Sequence, residues 1–168
     1  MATTKSTQIT NEDATPRVIN SGGSYKYAIH WDYTVADLAL VTTDVVELCK
    51  IPAGARVLLG ESYFNVSATT GASTTIDIGY QAYTAVDGTT TAADVDGLVN
   101  GYTSSSTAIN LLTETTVSPL GALANAVGVA DFSDAVDDVT IIATCLDSGG
   151  TFDGDIADIW TGYFTVEV

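Results

Sequence analysis

The chain has 168 residues, enough for one domain with its own hydrophobic core, and no second independent domain is expected. Its formal net charge is −16, which argues against direct binding to nucleic acid because affinity for a phosphate backbone comes from Lys and Arg. No apolar run approaches the roughly 20 residues that a membrane span needs.

The first 24 residues are polar and end in a Ser-Gly-Gly-Ser hinge at 21–24. This composition predicts an N-terminal arm over residues 1–24, followed by a single β-sandwich domain over residues 25–168. The arm has no apolar segment of the kind found in secretory signals. All the basic residues lie within the first 56 positions, at Lys5, Arg17, Lys26, Lys50 and Arg56. That end of the chain could therefore hold an acidic partner.

Strict alternation from Tyr25 to Tyr33 predicts the first strand of the domain. Tyr25, Tyr27, Ile29, Trp31 and Tyr33 share one face, and Lys26, Ala28, His30 and Asp32 share the other. The aromatic stripe could serve as a ligand platform, but a half-buried strand that covers the core is the preferred interpretation. His30 is expected at the surface rather than as a catalytic base or metal ligand.

Three strands are predicted next, at 45–51, 56–67 and 74–80. The sequence Pro52-Ala53-Gly54-Ala55 predicts a turn that joins the first two as antiparallel neighbours, because Pro fixes one backbone dihedral and Gly permits a positive one. In the third strand Ile76, Ile78 and Tyr80 alternate with Asp77 and Gly79.

The middle of the chain, residues 81–137, is rich in Ala, Thr, Gly and Asp, so loops and short elements are expected there. Helical spacing at 120–127 predicts a helix of about two turns. Strand patterns return at 139–146 and 159–168, and in the last one Trp160, Phe164, Val166 and Val168 form the packed face.

These strands predict an all-β fold: an antiparallel two-sheet sandwich, jelly-roll-like, with an extended N-terminal arm. An immunoglobulin-like sandwich is less favoured because Trp160 follows both cysteines instead of lying between them. Cys49 and Cys145 are interpreted as buried reduced thiols, with an inter-sheet disulfide as the lesser alternative.

No pattern of catalytic residues is present, and we expect neither an enzyme nor a resident cofactor. The nearest approach to a metal site is an acidic, glycine-rich segment that could wrap calcium. Its spacing is not that of an EF-hand, so a solvated hairpin is preferred, and the same holds for Asp134, Asp137 and Asp138. The weak metal candidates of that segment are Asp147, Asp153, Asp155 and Asp158.

Two segments, DVVELCKIPAGARVL at 44–58 and TTIDIGY at 74–80, resemble a pattern found in structural proteins of tailed bacteriophages, and the likeness extends to ADVDGL at 93–98. The resemblance implies a virion component such as a capsid decoration (cement) protein or another minor head protein. It carries no catalytic residues. Trimers on threefold positions of the shell are a common arrangement for such proteins.

The expected function is therefore capsid decoration, on the outer surface of the phage head, with the major capsid protein as partner and a homo-oligomer, preferably a trimer, as the assembly. The chain would be made in the host cytoplasm. Lys5, Arg17 and Lys26 are the predicted capsid contacts. The alternative is a tail or head-fibre module that recognises host surface glycans through aromatic residues of 25–33 or through Tyr80 and Tyr83.

Overall fold

The computed structural model of the protein describes residues 3–5, 26–35, 43–66, 74–103, 109–110, 129–147 and 158–168. Within these residues the secondary structure consists of β-strands and a single 3-10 turn, Leu59–Glu61. The first sheet contains β1 (Thr3–Lys5), β3 (Val45–Ile51), β6 (Thr74–Tyr80), β9 (Asp94–Thr103) and β12 (Val139–Asp147). The second contains β2 (Lys26–Val35), β4 (Arg56–Leu58), β5 (Tyr63–Val66), β10 (Ile109–Asn110), β11 (Val129–Asp131) and β13 (Asp158–Glu167). The short strands β7 (Tyr83–Thr84) and β8 (Thr90–Thr91) pair with each other.

The first sheet has the order β1-β3-β12-β6-β9, with β12 at its centre. Its strands pair antiparallel, except that β1 runs parallel to β3 and places Thr3 opposite Val45 and Lys5 opposite Glu47. Sequence analysis did not predict a strand at 3–5. The polar arm predicted for residues 1–24 thus contains a short segment that extends this sheet, and its residues 6–24 lie outside the described part of the chain.

The second sheet is built around β13, which pairs with β2 along its whole length. On its other side β13 pairs first with β5 and then with β4, and the 3-10 turn interrupts the ladder between them. Side chains close this gap: the Thr165 amide donates to Ser62 Oγ at 3.1 Å, and Thr165 Oγ1 donates to the Glu61 carbonyl at 2.7 Å. The single strand predicted for 56–67 is therefore two strands with a 3-10 turn between them.

Inward side chains of both sheets form one buried cluster, as expected of a two-sheet sandwich. Burial of each large apolar side chain contributes about 1.5–3 kcal/mol, so this cluster is the main source of stability. From the first sheet it includes Val46, Leu48, Ile51, Ile76, Ile78, Leu98, Ile141 and Ala143, and from the second Trp31, Val57, Phe64, Ala130, Trp160, Phe164 and Val166. The all-β antiparallel fold is as predicted, while the jelly-roll form of the sandwich stays a prediction.

Aromatic rings fill the inner face of the second sheet around a glycine. Gly162 lies opposite Trp31 on one side and opposite Phe64 on the other. A Cβ at position 162 would lie 2.5 Å from Trp31 Cζ2 and would overlap the Tyr63 carbonyl oxygen. The Trp31 ring is 5.3 Å from that of Phe64 and 6.2 Å from that of Phe164. Because Gly162 has no side chain, the Trp31 indole can pack directly over the backbone at this position.

The alternation predicted for β2 is confirmed, since Trp31 and Tyr33 are buried while His30 and Asp32 are exposed. Tyr27 departs from the pattern, because it lies near the start of the strand and is 42% exposed. Val168 follows the last residue of β13 and is 46% exposed rather than packed.

The turn after β3 forms as predicted, with the Ala55 amide donating to the Pro52 carbonyl at 3.2 Å and Gly54 at φ +78°. Its consequence differs from the prediction, because β3 and β4 belong to different sheets and do not pair with each other. The turn therefore carries the chain across the sandwich. The predicted helix at 120–127 lies outside the described residues.

The two cysteines lie in neighbouring strands of the first sheet, so a bond between the sheets is not formed by this pair. Cys49 is a buried thiol rather than half of a disulfide. It lies opposite Ile141, four residues from Cys145, and this offset corresponds to about 13 Å along the strand. A disulfide requires Cα atoms within about 7 Å, so the lesser alternative was wrong.

The close contacts of Gly162 predict that Gly162→Ala destabilises the fold by about 1–3 kcal/mol through overpacking, although alanine is the better strand residue. Gly88→Asn is the matched control, because nothing lies within 4 Å of a Cβ there and Asn tolerates its φ of +82°. Urea unfolding measures both. An unchanged midpoint for Gly162→Ala would contradict the packing of Trp31 over this position.

Candidate functional site

A row of alternating charges crosses one end of the second sheet. The register places Lys26 of β2 opposite Glu167 of β13, Glu167 opposite Arg56 of β4, and Arg56 opposite Asp131 of β11. Arg56 Nε lies 3.3 Å from an Asp131 carboxylate oxygen, and Lys26 forms an ion pair with Glu61. The side chains in these pairs are about half exposed, so each pair contributes little to stability.

The predicted capsid contacts are not gathered into one cationic patch by the described residues. Lys26 is neutralised by Glu61, and Lys5 lies in β1, at the edge of the other sheet. Arg17 lies outside the described residues. The assignment of these three residues to a capsid contact stays a prediction.

Three segments are tied together at the same end of the sandwich as the charged row. The Phe132 amide donates to the Ala55 carbonyl at 3.0 Å, and the Val86 amide donates to the Asp134 carbonyl at 2.7 Å. Tyr83 Oη donates to Asp134 Oδ1 at 3.2 Å, and the Ala53 amide donates to Asp138 Oδ1 at 3.3 Å. Asp134 and Asp138 therefore fasten loops in this structure.

Two of the four metal candidates from the sequence, Asp147 and Asp158, lie at the ends of strands away from the charged row. Asp147 is the last residue of β12 and Asp158 the first of β13, while Asp153 and Asp155 lie outside the described residues. Among the described residues, no group of three or more His, Cys, Asp or Glu side chains is arranged to hold a metal ion. The expectation of a solvated hairpin rather than a calcium site stays a prediction.

Sequence reasoning missed the role of Asp77, which is buried on the outer side of the first sheet. Strand β9 bulges twice opposite β6, between its pairings with Tyr80, Ile78 and Ile76. One bulge brings the Asp94 carbonyl onto Gly79, where a Cβ would overlap it. At the other, the Gly101 amide donates to Asp77 Oδ1 at 2.6 Å. The Asp77 carboxylate thus replaces a strand partner.

Burial of Asp77 raises the pKa of its carboxyl above the ordinary 3.8, against the hydrogen bond from Gly101, which lowers it. Asp96 adds a smaller electrostatic contribution in the raising direction. The pKa of Asp94 is also raised, by burial first and then by its hydrogen bond with the Asp96 side chain. This corner of the sheet therefore disfavours negative charge.

The aromatic residues predicted for glycan recognition are largely in the core. Trp31, Tyr33, Tyr80 and Tyr83 are all buried, and Tyr80 and Tyr83 pack against Phe132. These four rings offer no stacking surface, whereas Tyr27 is exposed and Tyr25 lies outside the described residues, so glycan recognition by the aromatic residues of 25–33 stays a prediction. A different set of rings, from His30, Tyr63 and Tyr163, lies on the outer face of the second sheet. The two-residue alternation of the strands places these rings on the outer face, and this pattern in the sequence could have identified them.

The buried state of Asp77 predicts opposite outcomes for two substitutions. Asp77→Asn keeps an acceptor for the Gly101 amide and removes the buried charge, so we expect stability at neutral pH to be equal to or above that of the original protein. Asp77→Ala leaves that amide without its acceptor and should cost about 1–3 kcal/mol.

The pH dependence follows from the sign of the shift. Because the folded chain binds a proton at Asp77 more readily than the unfolded chain, this residue makes stability rise as pH falls through its raised pKa toward 3.8. Asp77→Asn lacks that contribution, so its advantage should narrow over the same range. Urea unfolding between about pH 7 and about pH 4 measures it. Equal losses for the Asn and Ala variants at neutral pH would argue against this account.

Comparisons with known proteins place the chain near one solved structure. No family model and no curated protein matches it. The chain is similar to the cyanophage Pam1 capsid asymmetric unit, with 12% identity and a TM-score of 0.41, over 90% of this chain and 94% of that one. Such a score is too low to establish a shared fold. No helix among the described residues is long and apolar enough to cross a membrane.

Proposed function

We propose that this chain is a structural protein of a phage virion that decorates the outer surface of the capsid and stabilises contacts between capsomers. Its partner in this proposal is the major capsid protein, and a homotrimer is the favoured assembly. The proposal includes no enzymatic activity and no cofactor.

The observation that carries the proposal is where the phage-like sequence segments lie in the fold. The first forms β3, the turn after it and β4, and the second forms β6. The distinctive residues of these segments have structural roles. Gly54 has a left-handed backbone conformation, and Asp77 accepts a hydrogen bond from the Gly101 amide. Gly79 has no side chain, which allows the backbone of β9 to approach. The resemblance to tailed-phage structural proteins therefore involves the residues that shape this sandwich.

The surface charge supports an outward position on the shell. The exposed carboxylates of the described residues lie on the second sheet and on the turns and loops that connect strands, and the chain as a whole carries a net charge of −16. Such a surface is repelled by packaged DNA and is suited to the outside of a capsid. The exposed acids are Asp32, Glu61, Asp87, Asp134, Asp137, Asp138 and Glu167.

Attachment is assigned to the N-terminal residues 1–24 rather than to the sandwich. Lys26 and Arg56 are each held by a carboxylate of the same chain, which weakens their attraction for an acidic partner. Lys5 and Arg17 are the cations within residues 1–24, and through them this segment would bind the major capsid protein, with Lys26 beside it as the third predicted contact.

Cementing would act through added interface. Each subunit that buries on the order of 1,000 Å² across a seam between capsomers adds a favourable free energy of association, which repeats over many copies of the shell. The sandwich contributes rigidity, because its buried core resists deformation when the shell is under internal pressure.

A charge substitution in the arm tests the attachment. Arg17→Gln should lower the occupancy of the protein on purified capsids, with an effect that is larger at low salt because the contact is electrostatic. Arg56→Gln is the matched control, since Arg56 is paired with Asp131 on the sandwich, and its occupancy should stay unchanged. Quantitative gel analysis of capsids after sedimentation measures both.

Deletion of residues 1–24 extends the test and should abolish attachment. Because it also removes β1, circular dichroism checks that the remaining strands stay folded and light scattering checks that the variant does not aggregate. A folded deletion variant that still fills the shell would contradict attachment through the N-terminus. Reconstruction of whole particles by electron microscopy would test the capsid location itself, and absence of the chain from purified virions would refute the proposed function.

A further inference from the structure

Three aromatic side chains form a row across the outer face of the second sheet. Tyr163 of β13 lies opposite His30 of β2 on one side and opposite Tyr63 of β5 on the other. The ring centroids of His30 and Tyr163 are 5.3 Å apart, and those of Tyr63 and Tyr163 are 5.7 Å apart, with their planes 14° from parallel. The rings therefore touch one another in sequence across three strands.

This row is open to solvent. His30 is exposed and both tyrosines are half-buried, whereas the next residues along β13, Gly162 and Phe164, point into the core. Packing of the core does not require large aromatic side chains on this outer face. Exposed aromatic groups in contact with each other mark a surface that suits a ligand or partner.

A polar row lies beside the aromatic one, two residues away along each strand. Thr161 of β13 lies opposite Asp32 of β2 and opposite Asn65 of β5, so all three project from the same face as the rings. Asp32 is exposed, and Thr161 and Asn65 are half-buried. The two rows are about 7 Å apart, and each is about 10 Å long, because these are the spacings of alternate residues and of neighbouring strands.

We propose that this face of the second sheet binds a neutral carbohydrate. We call it the ring-and-amide face, and it consists of His30, Tyr63, Tyr163, Asp32, Thr161 and Asn65. The C–H face of a pyranose can lie against an aromatic ring, while its hydroxyl groups bind a carboxylate, an amide or a hydroxyl. The two rows supply both kinds of contact at a separation comparable to one or two sugar residues.

Charge selects the class of carbohydrate. Asp32 lies within the ring-and-amide face, and the chain carries a net charge of −16. Nucleic acids and acidic polysaccharides are repelled by such a surface. Acidic carbohydrates are therefore excluded as ligands, and among the common carbohydrates the neutral ones remain. This inference stands apart from capsid attachment, which was assigned to residues 1–24.

Affinity electrophoresis of the full chain tests the proposal. The protein is run in native gels that contain dextran, starch, galactomannan, mannan or hydroxyethyl cellulose, with alginate as the anionic counterpart. We expect at least one neutral polysaccharide to retard the protein and alginate not to do so. Isothermal titration with an oligosaccharide of the retarding polymer then gives the dissociation constant.

Substitutions locate the binding. Tyr163→Ala and Tyr63→Ala should each weaken binding about tenfold or more, since each removes a stacking contact that a sugar ring would use. Asp32→Ala should weaken binding through loss of a hydroxyl partner without changing the rings. Tyr27→Ala is the matched control, an exposed tyrosine away from this face, and should bind as the original protein does.

Circular dichroism and light scattering accompany each variant, so that loss of folding is separated from loss of binding. Retention by none of the neutral polysaccharides overturns the proposal. So does binding that survives in folded Tyr163→Ala and Tyr63→Ala variants. A change of oligomeric state in these two variants, without any carbohydrate binding by the original protein, would make this face a protein interface and would also overturn it.

Discussion

Packing of the Trp31 indole over Gly162 is the contact on which the second sheet depends. Strand β13 pairs with β2 on one side and with β5 and β4 on the other, so it fixes the register of all three. Its inner face alternates Trp160, the side-chain-free Gly162, and Phe164, and Trp31 occupies the space between them. Because the inner face of β13 packs tightly against the core, its outward side chains, which include Tyr163 and Thr161, have a fixed arrangement.

The first sheet solves a different problem, because its strand β9 does not follow a regular ladder. The two bulges of β9 bring backbone onto the outer side of β6, where a polar acceptor and an absent side chain are needed. Asp77 and Gly79 meet these needs at adjacent outward positions. The free-energy cost of a buried carboxyl is offset by the hydrogen bond that it accepts, and the strand keeps its place without a continuous ladder.

Much of the fold could be predicted from the sequence where alternation is undisturbed. The aromatic alternation at 25–33, the segment 74–80 and the last two long strands are all found close to their predicted bounds. The turn at 52–55 was predicted from Pro52 and Gly54, but turn residues do not encode which strand lies beside the next one. The sequence therefore could not predict that β4 lies in the second sheet rather than beside β3.

The missed features share a physical reason, which is that each depends on contacts between distant residues. Strand β9 contains Gly97 and Gly101, and its bulges disrupt the two-residue period that reveals a strand. Asp77 has the pattern of a solvent-facing residue and is buried by β9. The ion pair between Lys26 and Glu61 joins β2 to the 3-10 turn, 35 residues further along the chain, so counting cations in the N-terminal part of the sequence overestimates the positive charge that is available there.

The parallel segment β1 has a consequence for how this chain behaves at high concentration. It pairs with the first three residues of β3, Val45 to Glu47, whose backbone groups would otherwise form an open edge of the sheet. Unprotected edges of that kind recruit further strands and begin aggregation. Thr3–Lys5 therefore hinders the pairing of this edge with strands of neighbouring molecules. This protection matters wherever many copies of the chain are crowded together.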